Sequence, residues 1–215
     1  MKLSCLLEEM EYECVQGTLD REITTLVYDS RKVEKDSAFV CISGAVCDGH
    51  DFAQEVAKKG AAVLFIEKDV EVPEKVTVIR VQNTRLALAQ TSAAYFRHPA
   101  KELITIGITG TKGKTTATYM VRSILEASGF KTGLIGTIET IIGEEKIPSA
   151  NTTPESYVVQ ESFRKMADAG CKCVVMEVSS QGLMLHRVGG FIFDYGIFTN
   201  LEPDHIGPNE HKDLQ

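Results

Sequence analysis

The feature that most restricts how this chain can fold is one junction. Residues 102–109, ELITIGIT, form a continuous apolar run of the kind that makes a strand buried on both faces, and they lead straight into GTKGKTT at 110–116. An amphipathic helix pattern follows. Small residues between a strand and a helix let backbone N–H groups turn inward, and the helix N-terminus adds partial positive charge, so the junction is predicted to cradle phosphate. Gly110, Thr111, Lys112 and Gly113 make the loop, Lys114 is placed to reach the β and γ phosphates, and the hydroxyl of Thr115 or Thr116 suits Mg²⁺. The spacing departs from the usual rule, in which a glycine stands five residues before the Gly–Lys pair. Position 108 is Ile, and the nearest glycines are Gly107 and Gly110. A plain glycine turn with a solvent-facing lysine is the alternative, but the Gly-Lys-Thr-Thr order sits where phosphate binding needs it.

The rest of the chain organises around this junction. With 215 residues, 43% of them hydrophobic, it has room for one large domain or two small ones. Residues 37–42, 61–67 and 75–81 read as strands, HDFAQEVAKKG as a short helix ending at Gly60, and a helix from about Asn83 to Arg97 precedes Pro99. The boundary is placed there, giving domains 1–98 and 99–215. Beyond it, strand, loop, helix, strand, helix, strand predicts a parallel sheet with crossover helices, so the fold class is α/β in both halves. Met120, Val121, Ile124 and Leu125 are expected on one side of the helix after the loop. TGLIGTIETII, 132–142, is expected to be a strand. Thr153 is expected to cap a helix that has Pro154 at its first position and closes at Gly170. CKCVVMEVSS and DYGIFTN supply two further strands.

Three clusters follow the loop. Asn151, Thr152 and Thr153 carry polar groups suited to a sugar, carboxylate or phosphate, with simple capping as the alternative. Glu177 ends an apolar strand, where burial is costly without a cation or donor nearby. At the carboxyl end of a strand in an open α/β sheet it is a candidate Mg²⁺ ligand, unless a Lys or Arg neutralises it. Asn200, Asp204 and His205 follow the next strand and fall on the same rim if the sheet is parallel.

Composition excludes several classes. The net charge of −7 is spread without a run of like sign, so nucleic acid and anionic membrane are not expected partners. No apolar stretch approaches the ~18 residues of a membrane helix, and the five-residue apolar patch near the N-terminus is too short for a signal peptide. The six cysteines include no C-x-x-C pair, which favours reduced thiols in the cytoplasm over zinc or disulfides. Cys171 and Cys173 are expected to alternate along one strand.

GITGTKGKTT, NTTP, MEVSSQGLMLHRV and FTNLEPDHIG, in this order and spacing, resemble the central ATPase domain of the Mur ligases. The nearest resemblance is to the branch that adds the third amino acid of the peptidoglycan precursor. VYDSRKVEKDSAFVCISGAVCDGHDF, with Asp29-Ser30-Arg31 and Asp48-Gly49-His50, is similar to that family's N-terminal nucleotide-sugar domain, so the resemblance covers nearly the whole chain. The family's shortened Gly-Thr-x-Gly-Lys-Thr loop explains the missing glycine. Two departures are Lys112, where many members have Asn, and Gln181, where many have His.

The resemblance implies a ligase in which ATP phosphorylates the D-glutamyl carboxylate of UDP-N-acetylmuramoyl-L-alanyl-D-glutamate. The amine of a diamino acid, meso-diaminopimelate or L-lysine, then attacks the acyl phosphate. It places Lys114, Glu177 and His205 in catalysis, with Thr115, Glu177 and His205 on the metal. Asn151, Thr152, Thr153, Ser179 and Arg187 would meet the sugar-peptide, and Ser30 with Gly44, Ala45, Val46 and Cys47 the uridine end. A family member would continue for roughly as many residues again, through a carbamylated lysine that Lys212 comes too early to match, to a domain that holds the amino acid. The expectation is therefore an incomplete ATPase sheet with an apolar edge, poorly soluble and inactive alone. A UDP-sugar and ATP-binding module, and a generic phosphotransferase or GTPase, are the rival readings.

Overall fold

A computed structural model describes residues 1–44 and 47–202. The chain divides into two compact units, Met1–Tyr95 and Phe96–Gln215. In the first, α1 (Leu3–Leu7), β1 (Glu13–Gln16) and β2 (Leu26–Val27) precede β3 (Ala38–Val40). α2 (Ala53–Lys59), β4 (Val63–Ile66), β5 (Thr77–Arg80) and α3 (Thr84–Tyr95) follow. The sheet order is β1-β5-β4-β3-β2, parallel except for β1, which pairs antiparallel with β5. β3 and β4 are buried throughout, as strands covered on both faces must be. Ala53, Val56 and Ala57 of α2 pack on Phe39, Leu64 and Val78, while α3 packs on β2, β3 and β4. α2 stops where Gly60 takes φ +116°, a left-handed conformation that glycine adopts without strain.

The second unit contains β6 (Ile104–Thr109), α4 (Lys114–Ala127), β7 (Thr132–Ile135), β8 (Glu139–Ile142) and β9 (Glu145–Pro148). α5 (Ser156–Asp168), β10 (Cys173–Glu177), α6 (Ser180–Met184) and β11 (Tyr195–Phe198) complete it. The sheet order is β11-β6-β10-β7-β8-β9. β11, β6, β10 and β7 are parallel, so their carboxyl ends share one rim. Successive side chains alternate between faces. Val174 and Met176 pack under α5 with Val159, Phe163 and Met166, whereas Val175 joins Ile106 and Ile108 under Ala117, Val121 and Leu125 of α4. By the same parity Glu177 belongs to the α4 face.

Four expectations need correction. Residues 132–142 are two strands, because Gly136 to Ile138 form a turn. β8 and β9 then extend the sheet antiparallel around a second turn at Gly143, φ +61°. Thr153 does not cap α5. Glu155 occupies the cap position, and Thr153 is drawn inward by hydrogen bonds to the segment after β10. The apolar residues of α4 do not share one side: Val121 and Leu125 face the sheet, while Met120 and Ile124, about 100° away around the helix, are 61% and 63% exposed. Cys171 lies before β10, not on it, though both it and Cys173 are buried thiols. Among the described residues no helix is long and apolar enough to cross a membrane.

Candidate functional site

The glycine loop lies between the end of β6 and the start of α4, on the rim where four parallel strands end. Gly110 takes φ +134°, and a Cβ there would stand 2.1 Å from Thr199 Oγ1. Gly113, φ +82°, is the residue at the N-terminus of α4, with no side-chain cap. Ile108, the position where the longer loop pattern has glycine, is fully buried inside β6. The turn is thus made by Gly110 and Gly113 alone. The first N–H groups of α4 have no acceptor within the helix and point toward the loop mouth. Lys114 arches back over the loop, its Nζ donating to Gly110 O at 2.7 Å and Thr111 O at 3.1 Å.

The segment after β11 clamps this loop. Thr111 N donates to Asn200 O at 3.0 Å and Lys112 N to Asn200 Oδ1 at 2.9 Å. Lys112 O accepts from Asn200 Nδ2 at 3.1 Å and from Thr199 Oγ1 at 2.8 Å, and Glu202 N donates to Thr111 Oγ1 at 2.9 Å. The Lys112 ammonium pairs with Glu202 at the surface, directed out of the loop. Asn200 was legible as a cluster member, but nothing local in the sequence marked Thr199 or Glu202. Asp204 and His205 lie outside the described residues.

Glu177 is the centre of the site. Its side chain has no solvent exposure, and among the described residues its carboxylate has no ion pair. Threonines supply the partners: Thr115 Oγ1 donates to Oε2 at 2.9 Å, Thr137 N to Oε1 at 2.9 Å, and Thr137 Oγ1 approaches Oε2 at 3.1 Å. No Lys or Arg among the described residues pairs with this carboxylate. Gly136 is required by space, since a Cβ there would come within 2.4 Å of Glu177 Oε1. Thr137 is a functional candidate that the sequence reading missed. The available signal was a Gly-Thr pair at the carboxyl end of a buried strand, where ligand sites collect.

Thr153, Ser179 and Arg187 come together beside Glu177. Thr153 Oγ1 donates to Glu177 O at 3.1 Å and accepts from Ser179 N at 2.9 Å. Ser179 caps α6 by accepting from Gly182 N at 3.0 Å, and Gly182 leaves room for Thr153 to press in. Arg187 donates to Thr153 O at 3.1 Å and pairs with Glu155 at 3.7 Å. Thr152 Oγ1 lies 3.0 Å from Thr137 Oγ1, and Asn151 is exposed in the loop before α5.

In the first unit, two short 3-10 turns sit at the carboxyl side of the sheet. Asp29 caps the turn containing Ser30, and hydrogen bonds from Arg31 hold its carboxyl down at about 2. Asp48 caps the turn that starts at Gly49. Burial pushes its carboxyl up, but the Lys68 ammonium and the His50 amide and ring outweigh this and hold it well below the usual range. His50 Nε2 accepts from Glu67 N at 2.9 Å, so the proton shared with Asp48 is on Nδ1. Gly44 N donates to Cys47 O at 2.9 Å, closing the loop base, and Ser30 O accepts from Lys59 at 3.1 Å. Ala45 and Val46 lie outside the described residues.

Comparison with known proteins adds to this geometry. Residues 108–215 match the Mur ligase middle domain, and residues 22–96 match the Mur ligase family catalytic domain. The chain is 49% identical over 206 residues to the UDP-N-acetylmuramoyl-L-alanyl-D-glutamate--2,6-diaminopimelate ligase of Clostridium perfringens (strain 13 / Type A), covering 96% of this chain and 43% of that protein. It is 47% identical over 216 residues to the ligase of the same name from Bacillus velezensis, covering 100% of this chain and 43% of that one. The chain thus spans less than half the length of these relatives. A solved structure of a UDP-N-acetylmuramoyl-L-alanyl-D-glutamate--2,6-diaminopimelate ligase aligns with TM-score 0.75 at 20% identity, over 96% of this chain and 42% of that chain. MurF ligase from Thermotoga maritima in complex with ADP aligns with TM-score 0.57 at 21% identity, over 85% of this chain and 38% of that one. These two likenesses show the fold. With the middle-domain match and relatives this similar along almost its whole length, the chain belongs to the Mur ligase family.

Proposed function

We propose that the chain carries the nucleotide-binding and acceptor-binding parts of an ATP-dependent ligase that joins 2,6-diaminopimelate to UDP-N-acetylmuramoyl-L-alanyl-D-glutamate. The observation that carries this reading is the buried Glu177 carboxylate held 2.9 Å from the Thr115 hydroxyl, at the N-terminus of a helix that follows a glycine loop. Relatives 43–49% identical along nearly all of the chain are diaminopimelate ligases, which favours that diamino acid over lysine.

The donor set fits Mg²⁺. Mg²⁺ takes oxygen ligands octahedrally at roughly 2.0–2.1 Å, so neighbouring ligand oxygens stand about 2.9 Å apart, as Thr115 Oγ1 and Glu177 Oε2 do. A buried carboxylate without an ion pair also calls for a cation. Among the described residues no group of three His, Cys, Asp or Glu could hold a metal ion, and Mg²⁺ commonly takes ligands from nucleotide phosphates and water. His205, the third proposed metal group, lies outside the described residues. When bound, Mg²⁺ would neutralise charge on the phosphates. The protein's own part is positional: the α4 N-terminus and Gly110 to Thr116 hold the phosphates, and Lys114 leaves its loop carbonyls to follow charge on the transferred group. Asn151, Thr152, Thr153, Ser179 and Arg187 hold the sugar-peptide beside Glu177, and Ser30 with Gly44 to Cys47 hold its uridine end. The free thiols and the use of ATP point to the cytoplasm.

The test is Lys114→Ala in the full-length protein, with phosphate release measured in the presence of ATP, acceptor and diaminopimelate. A loss of at least about 100-fold in turnover is expected, since the Lys114 ammonium lies over the loop against the Gly110 and Thr111 carbonyls. Wild-type turnover in the variant would remove the loop from the mechanism. Nucleotide and acceptor binding without amide formation by the wild type would favour the binding-module reading.

A further inference from the structure

Thr137 stands at a place that the proposed ligand set does not use. It follows β7 on the rim and is exposed itself, yet it touches both oxygens of the fully buried Glu177. Its N–H holds Oε1 at 2.9 Å, and its hydroxyl lies 3.1 Å from Oε2 and 3.0 Å from Thr152 Oγ1. A threonine hydroxyl has one proton and two lone pairs, so it can donate to only one of these neighbours at a time. While Oε2 is free, the carboxylate is the stronger acceptor and takes the proton, leaving Thr152 to donate to Thr137. When a cation occupies Oε2, the proton turns to Thr152, and Thr152 is left to donate outward.

We propose that Thr137 is a positioning residue that sets the Glu177 carboxylate and relays its state to Thr152, coupling cation binding to the binding of an anionic acceptor at Asn151 to Thr153. This rests on the nucleotide and metal reading above. Thr137 touches neither the phosphates nor the reacting carboxylate in that reading. Its effect passes through Glu177 on one side and Thr152 on the other. Gly136, which leaves no room for a Cβ against Oε1, keeps the two residues at this distance. The coupling is reciprocal: whatever cation occupancy does for acceptor affinity, the acceptor does for cation affinity.

The experiment titrates Mg²⁺ into the full-length protein with a fluorescent ADP analogue, with and without UDP-N-acetylmuramoyl-L-alanyl-D-glutamate, and reads the Mg²⁺ midpoint of nucleotide binding. Outer partners of metal ligands typically change metal affinity by about 10–100-fold. Thr137→Val and Thr137→Ala, which keep the N–H and remove the hydroxyl at an exposed position, are expected to raise the midpoint about 10-fold and abolish its shift on adding acceptor. Thr137→Ser, which restores the hydroxyl, is expected to stay within about 3-fold of wild type and keep the shift. A wild-type midpoint and shift in both hydroxyl-free variants would overturn the role of Thr137 while leaving the metal assignment standing. Nucleotide binding by the wild type that ignores Mg²⁺ would instead sink the metal assignment, and this inference with it.

Discussion

At the scale of single residues, the site is built by placing a charge where the folded protein alone does not want it. Glu177 has neither solvent nor an ionic partner among the described residues, and its three threonine contacts replace only part of the hydration that burial removes. A buried carboxylate without an ionic partner costs stability unless donors or a bound cation compensate it, and the proposed Mg²⁺ would do so. Glu177→Gln preserves shape and can still accept from the Thr137 amide, while removing the charge. It is expected to melt at the same temperature as the wild type or a few degrees higher, and to lose the Mg²⁺-dependent part of nucleotide binding. Thermal melts with and without Mg²⁺ and ADP measure both. A strong loss of stability without ligand would show that the carboxylate is structural. Glu177 itself was legible, because an acid ending an apolar strand stands out. Thr137 was missed, since the Gly-Thr pair marks the end of a buried strand but does not announce which carboxylate the threonine meets.

At the scale of elements, α4 shows how one helix serves two ends. Its first turn carries the loop chemistry, and Ala117, Val121 and Leu125 anchor it to Ile106, Ile108 and Val175. Met120 and Ile124 point the other way and, with Thr115, Thr116, Tyr119 and Ser123, line an open groove of about 590 Å³. Val121→Ala and Leu125→Ala are expected to destabilise the chain by about 1–3 kcal/mol each, and Met120→Ala and Ile124→Ala by less than about 0.5 kcal/mol. Urea melts of the four variants check this, and equal losses would contradict the two-faced reading. The periodic pattern identified the helix because period is local. It did not separate the two faces, because adjacent apolar positions such as 120 and 121 fit either orientation, and the sheet chose between them. The hairpin of β8 and β9 was missed for a similar reason. Its strands read as extended from either end; the Gly136 to Ile138 turn reverses β8 against β7, and the turn at Gly143 reverses β9 against β8.

At the scale of the whole molecule, the parallel strands of the second unit end on one rim, and among the described residues its sheet ends at β11. Tyr195 and Phe198 on that strand are both 63% exposed, and β6 is its only strand partner among the described residues. An apolar strand with an open edge is a template for further pairing. The 215-residue chain by itself is expected to self-associate, and Phe198→Lys to shift it toward monomer, as read by size-exclusion chromatography with light scattering. A monodisperse wild-type monomer with a cooperative melt would contradict this. What the sequence by itself determined was the α/β class, the main parallel strands and helices, and the strand–loop–helix junction, because hydrophobic period and glycine or proline punctuation act over a few residues. Only the tertiary structure decided which groups meet. Thr137 lies 40 positions from Glu177, Thr115 lies 62 from it, and Lys112 lies 88 from Asn200. Contacts at such separations depend on strand order, and strand order is a property of the assembled sheet that no local stretch of sequence carries.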